Sequence, residues 1–282
     1  MAQQLPDWLG PSLAYRFLGG SALRRFAPHG PGCLIVRSSL SLVHTPREPY
    51  HCMLPDGTWH VARDDEVICV PAGMRHRFDF RSHGLLSGTF SSYTILGGTD
   101  LLGFYRIPLI IRGPAGRRIG RLMAEQVRHE GTQADGGLHA ARSRRIGFAI
   151  LEELLLASQL DRGRLARLVE LGRLRPVLDH IHAHLDQPLD RGGLAALVGL
   201  SPVRLAALFR EVLGQSLMAY VRARRMEKAE ELLLAGNGVA ETAGSLGFCD
   251  PFHFSRQFKA ARGMAPLRFR ETIRSLASPC SP

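Results

Sequence analysis

The stretch LAALVGLSPVRLAALFREVLGQSLMAY, residues 194–220, is answered further on by AGSLGFCDPFHFSRQFKAARGMAPLRF, residues 243–269. Pro202, Leu205, Phe209, Arg210, Gly214 and Tyr220 lie 49 residues before Pro251, Phe254, Phe258, Lys259, Gly263 and Phe269. Just upstream, Ala195, Val198 and Gly199 lie 48 residues before Ala243, Leu246 and Gly247, so Cys249 acts as a one-residue insertion. Matched positions at a fixed offset indicate an internal repeat. Each unit reads as a small-residue helix, a turn at Gly199 or Gly247, and a second helix capped by Ser201 or Asp250 with proline in its first turn. Alanine lets the first helix approach closely, glycine relieves the turn, and Phe209 or Phe258 fills the core. That is a helix-turn-helix twice over.

Charge is placed on the same repeat. The chain of 282 residues carries 36 basic and 25 acidic side chains, a net +11, and only Lys228 and Lys259 among the cations are lysine. Residues 201–228 hold Arg204, Arg210, Arg222, Arg224, Arg225 and Lys228 against Glu211 and Glu227. Residues 250–274 hold Arg256, Lys259, Arg262, Arg268, Arg270 and Arg274 against Asp250 and Glu271. A basic footprint coinciding with both units suits a phosphate backbone, although a solvated basic face of a helical bundle is the plainer alternative. The comparable surplus in residues 1–160 is assigned to Arg-rich composition.

Working outward, Val177, Leu178, Ile181 and Leu185 begin the helical region at about Leu174, and Pro188 stops that helix. Ser158–Gly172 is polar and Arg-rich and reads as a linker, although Leu165, Leu168 and Val169 allow further helical turns. Before it, Ile119, Leu122, Met123 and Val127, then Ile146, Ile150, Leu151, Leu154 and Leu155, mark two amphipathic helices joined near Gly131–Gly137. From Gly32 to Ile111 the pattern is of short strands, at Cys33–Ser41, Trp59–Val61, Glu66–Pro71, His76–Phe80 and Leu85–Thr94. Asp56-Gly57 and Ala72-Gly73 supply turns between them. Such spacing suggests a sandwich or small barrel.

The sequence from Leu194 to Arg270 resembles the AraC/XylS-type family of bacterial transcription regulators. The resemblance is carried by Gly199-Leu200-Ser201-Pro202, Leu208-Phe209-Arg210, Gly214, Tyr220, Arg225 and Leu232-Leu233. It continues through Gly247-Phe248, Asp250-Pro251, Phe254-Ser255-Arg256, Phe258-Lys259, Gly263 and Pro266. It implies two lobes joined by a long helix, about Leu217–Leu234, with recognition helices in successive major grooves of double-stranded DNA. Carried over by position, Phe252, His253 and Arg256 face bases: Arg256 can fork onto guanine, His253 can hydrogen-bond, and Phe252 can touch a thymine methyl. The first unit departs from the family, with Val203, Ala206 and Ala207 where polar or basic residues are common. Arg204 and Arg210 remain there, and Arg222, Arg225 and Lys259 complete the expected DNA-binding set. The second unit is therefore expected to carry most of the sequence discrimination.

More weakly, Gly57–Phe78 resembles the cupin-type effector domain of such regulators, through Gly57-Thr58-Trp59-His60, Asp64-Asp65, Val70-Pro71-Ala72-Gly73 and His76-Arg77-Phe78. The expected architecture is thus α+β and multidomain. It comprises a cupin-like effector-sensing β-barrel (1–112), a helical dimerisation segment (113–160), a linker (161–173) and an all-α DNA-binding domain with two helix-turn-helix motifs (174–277). Trp59, His60 and His76, at strand ends, are the candidates for effector binding. The implied partners are operator DNA, a small-molecule effector, a second copy of the chain and, for an activator, RNA polymerase.

Other chemistry has less support. Cys33, Cys52, Cys69, Cys249 and Cys280 form no CxxC pair and leave one odd, against a disulfide framework or ribbon-type zinc site. His44, His51, His60, His76 and His83 contain no HxH, and His180 and His184 share a helix face without the glutamate of an HExxH site, so neither a metal nor a cofactor is expected. No GxGxxG, Walker-type or GxSxG motif occurs, so no enzymatic activity is expected. The competing reading is a cupin-derived metal enzyme or isomerase with a DNA-tethering tail. No leader or membrane-spanning run is read, so a cytoplasmic location is expected.

Overall fold

The computed structural model describes residues 6–26, 35–79, 84–132 and 136–277. The chain opens with α1 (Leu9–Ser12) and a long strand, β1 (Ala14–Phe26), followed by β2 (Leu40–Thr45), β3 (Tyr50–Met53), β4 (Trp59–Ala62), β5 (Glu66–Val70), β6 (Arg77–Asp79) and β7 (Gly84–Ile95). Short 3-10 turns at Leu96–Gly98 and Leu101–Phe104 flank β8 (Thr99–Asp100), and β9 (Tyr105–Arg106) and β10 (Ile110–Ile111) precede α2 (Gly113–Glu130) and α3 (Gly136–Leu156). After β11 (Gln159–Leu160) come α4 (Arg162–Arg173), α5 (Arg175–Ala183), α6 (Arg191–Ala196), α7 (Pro202–Leu213), α8 (Leu217–Leu234), α9 (Val239–Gly244), α10 (Pro251–Arg262) and α11 (Pro266–Ala277). The chain divides into two compact units, each discontinuous in sequence. Residues 93–104 group with 160–261, whereas 262–277 group with the strand-rich part.

In the strand-rich unit one sheet runs in the order β1-β7-β2-β5-β10, and β4-β3-β6 form another. The expected barrel is met by these two separately bonded sheets, and the described strands do not close into one. Pairing is antiparallel, with Val43 opposite both Ile68 and Gly88, and Cys52 opposite both His60 and Phe78. The reason for two layers is the buried apolar face each offers: Val43, Ile68, Val70, Leu86 and Ile110 from the large sheet meet Tyr50, Cys52 and Ala62 from the small one. Strand β5 is buried on both faces, which explains why Val67-Ile68-Cys69-Val70 reads as an unbroken apolar run. At the β4–β5 turn, Asp64 and Asp65 both take left-handed backbone, and Asp65 N–H donates to Thr45 O.

Helix α2 lies against β2 and β5 because Gly116 and Gly120 remove the side chains that would intervene. A Cβ on Gly120 would come within 2.6 Å of the His44 ring, and one on Gly116 within 2.7 Å of Ile111 O. Its other neighbour is α3, joined by a half-buried polar network in which Gln126 Nε2 donates to Glu130 Oε1 at 2.5 Å and to Ser143 Oγ at 3.0 Å. Both helices match the sequence expectation in place.

In the helical unit the 161–173 stretch expected as a linker is helix α4. Asp161 caps it by accepting from Gly163 N–H, and Leu168 and Leu171 are buried. The segment 96–104 is strapped to two helices of this unit. Tyr220 Oη in α8 donates to Gly97 O at 2.8 Å, and Arg224 donates to Gly98 O while pairing with Glu227. Gly97 (φ 59°) sits so close to α5 that a Cβ would lie 2.4 Å from Leu178 Cβ. Burial pushes the Asp100 carboxyl up to about 6, against the opposing pull of Leu102 N–H and the Arg224 guanidinium.

Candidate nucleic-acid interface

The repeat seen in the sequence is a repeat in geometry. Helix α6 starts at Asp190, whose carboxylate accepts from Gly192 and Gly193 N–H. Its chain then reverses at Gly199 (φ 65°), and Leu200 N–H returns to Ala195 O at 3.1 Å. Helix α9 repeats this: Glu241 accepts from Gly238 N–H at 3.2 Å, Gly247 takes φ 71°, and Phe248 N–H returns to Ala243 O at 3.0 Å. The reversal is a left-handed turn that favours glycine.

The second helix of each pair is capped by the residue before its proline. Ser201 Oγ accepts from Arg204 N–H at 3.3 Å. Asp250 accepts from Phe252 N–H at 2.9 Å and His253 N–H at 3.0 Å, bonds that hold its carboxyl below the usual carboxylate range. Inward, α7 buries Leu205, Phe209 and Val212, with the Phe209 ring edge-on to Tyr220 of α8 at 5.5 Å. Helix α10 buries Phe254 and Phe258, with Phe254 against Phe248 at 5.4 Å. Helix α8 has the bounds expected for the connecting helix, and Ser216 caps it.

Outward, α7 presents Val203, 81% exposed, with Arg204, Ala207 and Arg210 exposed and Ala206 half-buried. Helix α10 presents Phe252, also 81% exposed, with His253, Arg256 and Lys259. Gln257 donates to His253 Nε2 at 2.8 Å, so the imidazole is held by a residue that the sequence did not single out. Arg222 of α8 is exposed. Arg225 is employed internally: its Nε donates to Leu185 O at 2.8 Å and its Nη2 to Gln187 O at 2.7 Å, which ties α8 to the turn that follows α5. With Arg224 on the strap and Arg262 buried, three of the counted cations are structural.

The effector candidates in the strand-rich unit fall on two faces. Strand register puts His60 on the same face as Cys52 and Phe78, toward the buried layer. Trp59 is on the opposite face with Met53 and Arg77, whose guanidinium lies 5.4 Å from the indole centroid. His76 is fully buried; its Nδ1 bonds Met74 O at 3.0 Å, and among the described residues Nε2 meets no hydrogen-bond partner. Burial lowers its pKa to about 4, and the Arg37 charge adds to the effect, so its imidazole is neutral at physiological pH.

Among the described residues no group of three His, Cys, Asp or Glu is placed to hold a metal. His83 lies outside the described residues. The His180 and His184 rings stack at 4.2 Å, and His184 Nδ1 bonds His180 O. Among the described residues no helix is long and apolar enough to cross a membrane.

Residues 194–272 match a family model described as a helix-turn-helix domain. The chain is 34% identical over 127 residues to the arabinose operon regulatory protein of Salmonella typhimurium strain LT2, covering 44% of this chain and 45% of that protein. It is also 34% identical over 104 residues to the right origin-binding protein of Escherichia coli K12, covering 36% of each. The match thus spans less than half of these relatives. In structure, ToxT from Vibrio cholerae O395, solved bound to (E)-4-(8-methylnaphthalen-1-yl)but-3-enoic acid, aligns over 93% of this chain and 99% of its own. The TM-score is 0.55 at 12% identity, a likeness of fold. The repeat, its capped and outward-facing second helices and these matches agree that residues 194–272 form a helix-turn-helix domain similar to that of the arabinose operon regulatory protein.

Proposed function

We propose that the protein is a sequence-specific, DNA-binding transcription regulator of the cytoplasm in which α7 and α10 enter successive major grooves as the recognition helices of two helix-turn-helix motifs. The observation that carries this reading is the pair of second helices with matched caps, matched buried phenylalanines and exposed outward stripes bearing Arg204, Arg210, Arg256 and Lys259. Arg256 forks onto a base, with His253 beside it held by Gln257. Arg204, Arg210, Arg222 and Lys259 bind phosphate, whereas Arg225 acts as an internal strut.

A small effector occupies the strand-rich unit, with His60 and His76 on the interior side; Trp59, on the outer face, is left out of that set. Two solved ToxT structures carry small acids, an unsaturated fatty acid in one and the naphthyl-butenoic acid in the other, which supports a ligand role for this architecture. The effector acts by binding the DNA-competent and incompetent arrangements with different affinity. Helices α2 and α3 pair two chains, with Leu156 of α3 exposed for that contact. As an activator the protein would also contact RNA polymerase.

Genome-wide mapping of bound DNA tests the reading. Discrete sites upstream of a small set of operons are expected; uniform coverage, or none, contradicts it. The operon beside the sites names effector candidates, and one that shifts DNA affinity in vitro is expected among them.

A further inference from the structure

Resting on that DNA-binding reading, we propose that each recognition helix reads the 5-methyl group of a thymine through one matched apolar side chain, Val203 in α7 and Phe252 in α10. The two residues are the same position of the repeat, 49 residues apart, and each is the second residue of its helix, directly after the first-turn proline. Both are 81% exposed. A single exposed apolar side chain is ordinary, but two at one register of a repeat, in the first turn of both outward-facing helices, share a cause. Folding is not that cause, since the core of each helix is supplied from the other face by Leu205 and Phe209, or Phe254 and Phe258.

The surroundings specify the occupant. Val203 is flanked by exposed Arg204 and Arg210, and Phe252 by exposed Arg256 and Lys259, so each apolar group is set among cations. A polyanion satisfies such a surface. The first-turn residues of a helix inserted in the major groove meet base edges, and thymine is the base that displays a methyl there. Along α7, Ala207 is exposed and Ala206 half-buried, and both end in methyls without a side-chain donor, so beside Arg204 and Arg210, which are given to phosphate, apolar contact is the base readout of that stripe. On α10, Arg256 adds a forked donor one turn beyond Phe252. The α7 half-site is therefore defined by its methyl group, and the α10 half-site by a methyl group together with a hydrogen-bonded base.

The test uses the whole 282-residue chain and duplexes selected from a random pool. Each thymine of a selected duplex is replaced in turn by deoxyuridine, which removes only the 5-methyl group. One position under each helix is expected to lose about three- to fivefold in affinity, the worth of roughly one buried methyl. Val203→Ala should abolish the sensitivity under α7 and leave that under α10; Phe252→Ala should do the reverse. Both side chains are exposed, and unchanged melting curves would verify that the variants fold. Equal binding of thymine and deoxyuridine duplexes at every position overturns the proposal while leaving the DNA-binding reading intact. Sensitivity that survives both variants overturns it as well, as does a variant defect that is the same on both duplexes and so assigns these side chains to another partner. Failure to select any preferred duplex overturns the DNA-binding reading and this proposal with it.

Discussion

The two helix pairs share one plan and differ in how they are fastened and in what they present. The turn of the first, at Gly199, is open, and a Cβ there would meet no described heavy atom within 4 Å, whereas a Cβ on Gly247 would lie 2.4 Å from Asp186 O. The second turn is thus pressed onto the turn that follows α5, and the first pair is braced instead through Tyr220, which packs on Phe209 and bonds the 96–104 strap. Their outward faces differ likewise: α7 offers apolar groups between arginines, and α10 offers Phe252 with a held imidazole and Arg256. Two helix pairs built on one plan therefore differ in how they are braced and in the side chains they turn outward.

The sharpest break of this contrast is a pair of glycine substitutions. Gly199→Ala meets only the left-handed backbone, a cost of about 1–2 kcal/mol. Gly247→Ala adds the collision with Asp186 O, and with it the expected cost rises to about 2–5 kcal/mol. Urea unfolding of the two variants decides the matter, and equal losses would show that the close approach at Gly247 carries no weight.

Asp100 sharpens the bracing of the first pair. Its carboxyl is raised from 3.8 to about 6, so the folded state holds the proton more tightly than the unfolded state. Stability is then favoured below about pH 4, declines as the pH rises to about 6, and is level above that. Asp100→Asn keeps an acceptor for Leu102 N–H without the buried charge, and should stabilise the helical unit at neutral pH by up to about 3 kcal/mol. It should also flatten the profile between pH 4 and 6. A variant less stable than the wild type at pH 7 would mean that the attraction to Arg224 outweighs burial.

Much of the helical unit is legible in sequence because its determinants are local: alanine, glycine and phenylalanine at fixed spacing, and Ser-Pro or Asp-Pro at helix starts. Helix α8 accordingly has the expected bounds, Leu217–Leu234. Strand β1 escapes such a reading because Arg16, Gly19, Gly20, Arg24 and Arg25 mask alternation, and Gly20 is required by a neighbour distant in sequence, Gly88 O. Strand β3 is only four residues long. Helix α4 reads as a linker because its polar face outweighs its buried leucines. Among site residues, charge and position assign Arg225 to DNA, yet its acceptors lie 38 and 40 residues away in sequence. The Arg224–Gly98 contact spans 126 residues, and no local pattern announces it.

A smaller effect concerns base readout. Arg256→Ala should cost about 1–3 kcal/mol of DNA affinity and relax preference at one base pair. Arg210→Ala on α7 should weaken binding to all sequences alike, with a shallower salt dependence. Competition titrations against single-base variants at two salt concentrations separate the cases; uniform weakening by Arg256→Ala would reduce it to a phosphate contact.

Selecting binding sites for the 282-residue chain from random duplexes tests most directly whether it reads two grooves with unequal lobes. Two half-sites about one helical turn apart are predicted, with the stronger base preference under α10. A single half-site, or stronger preference under α7, would contradict it.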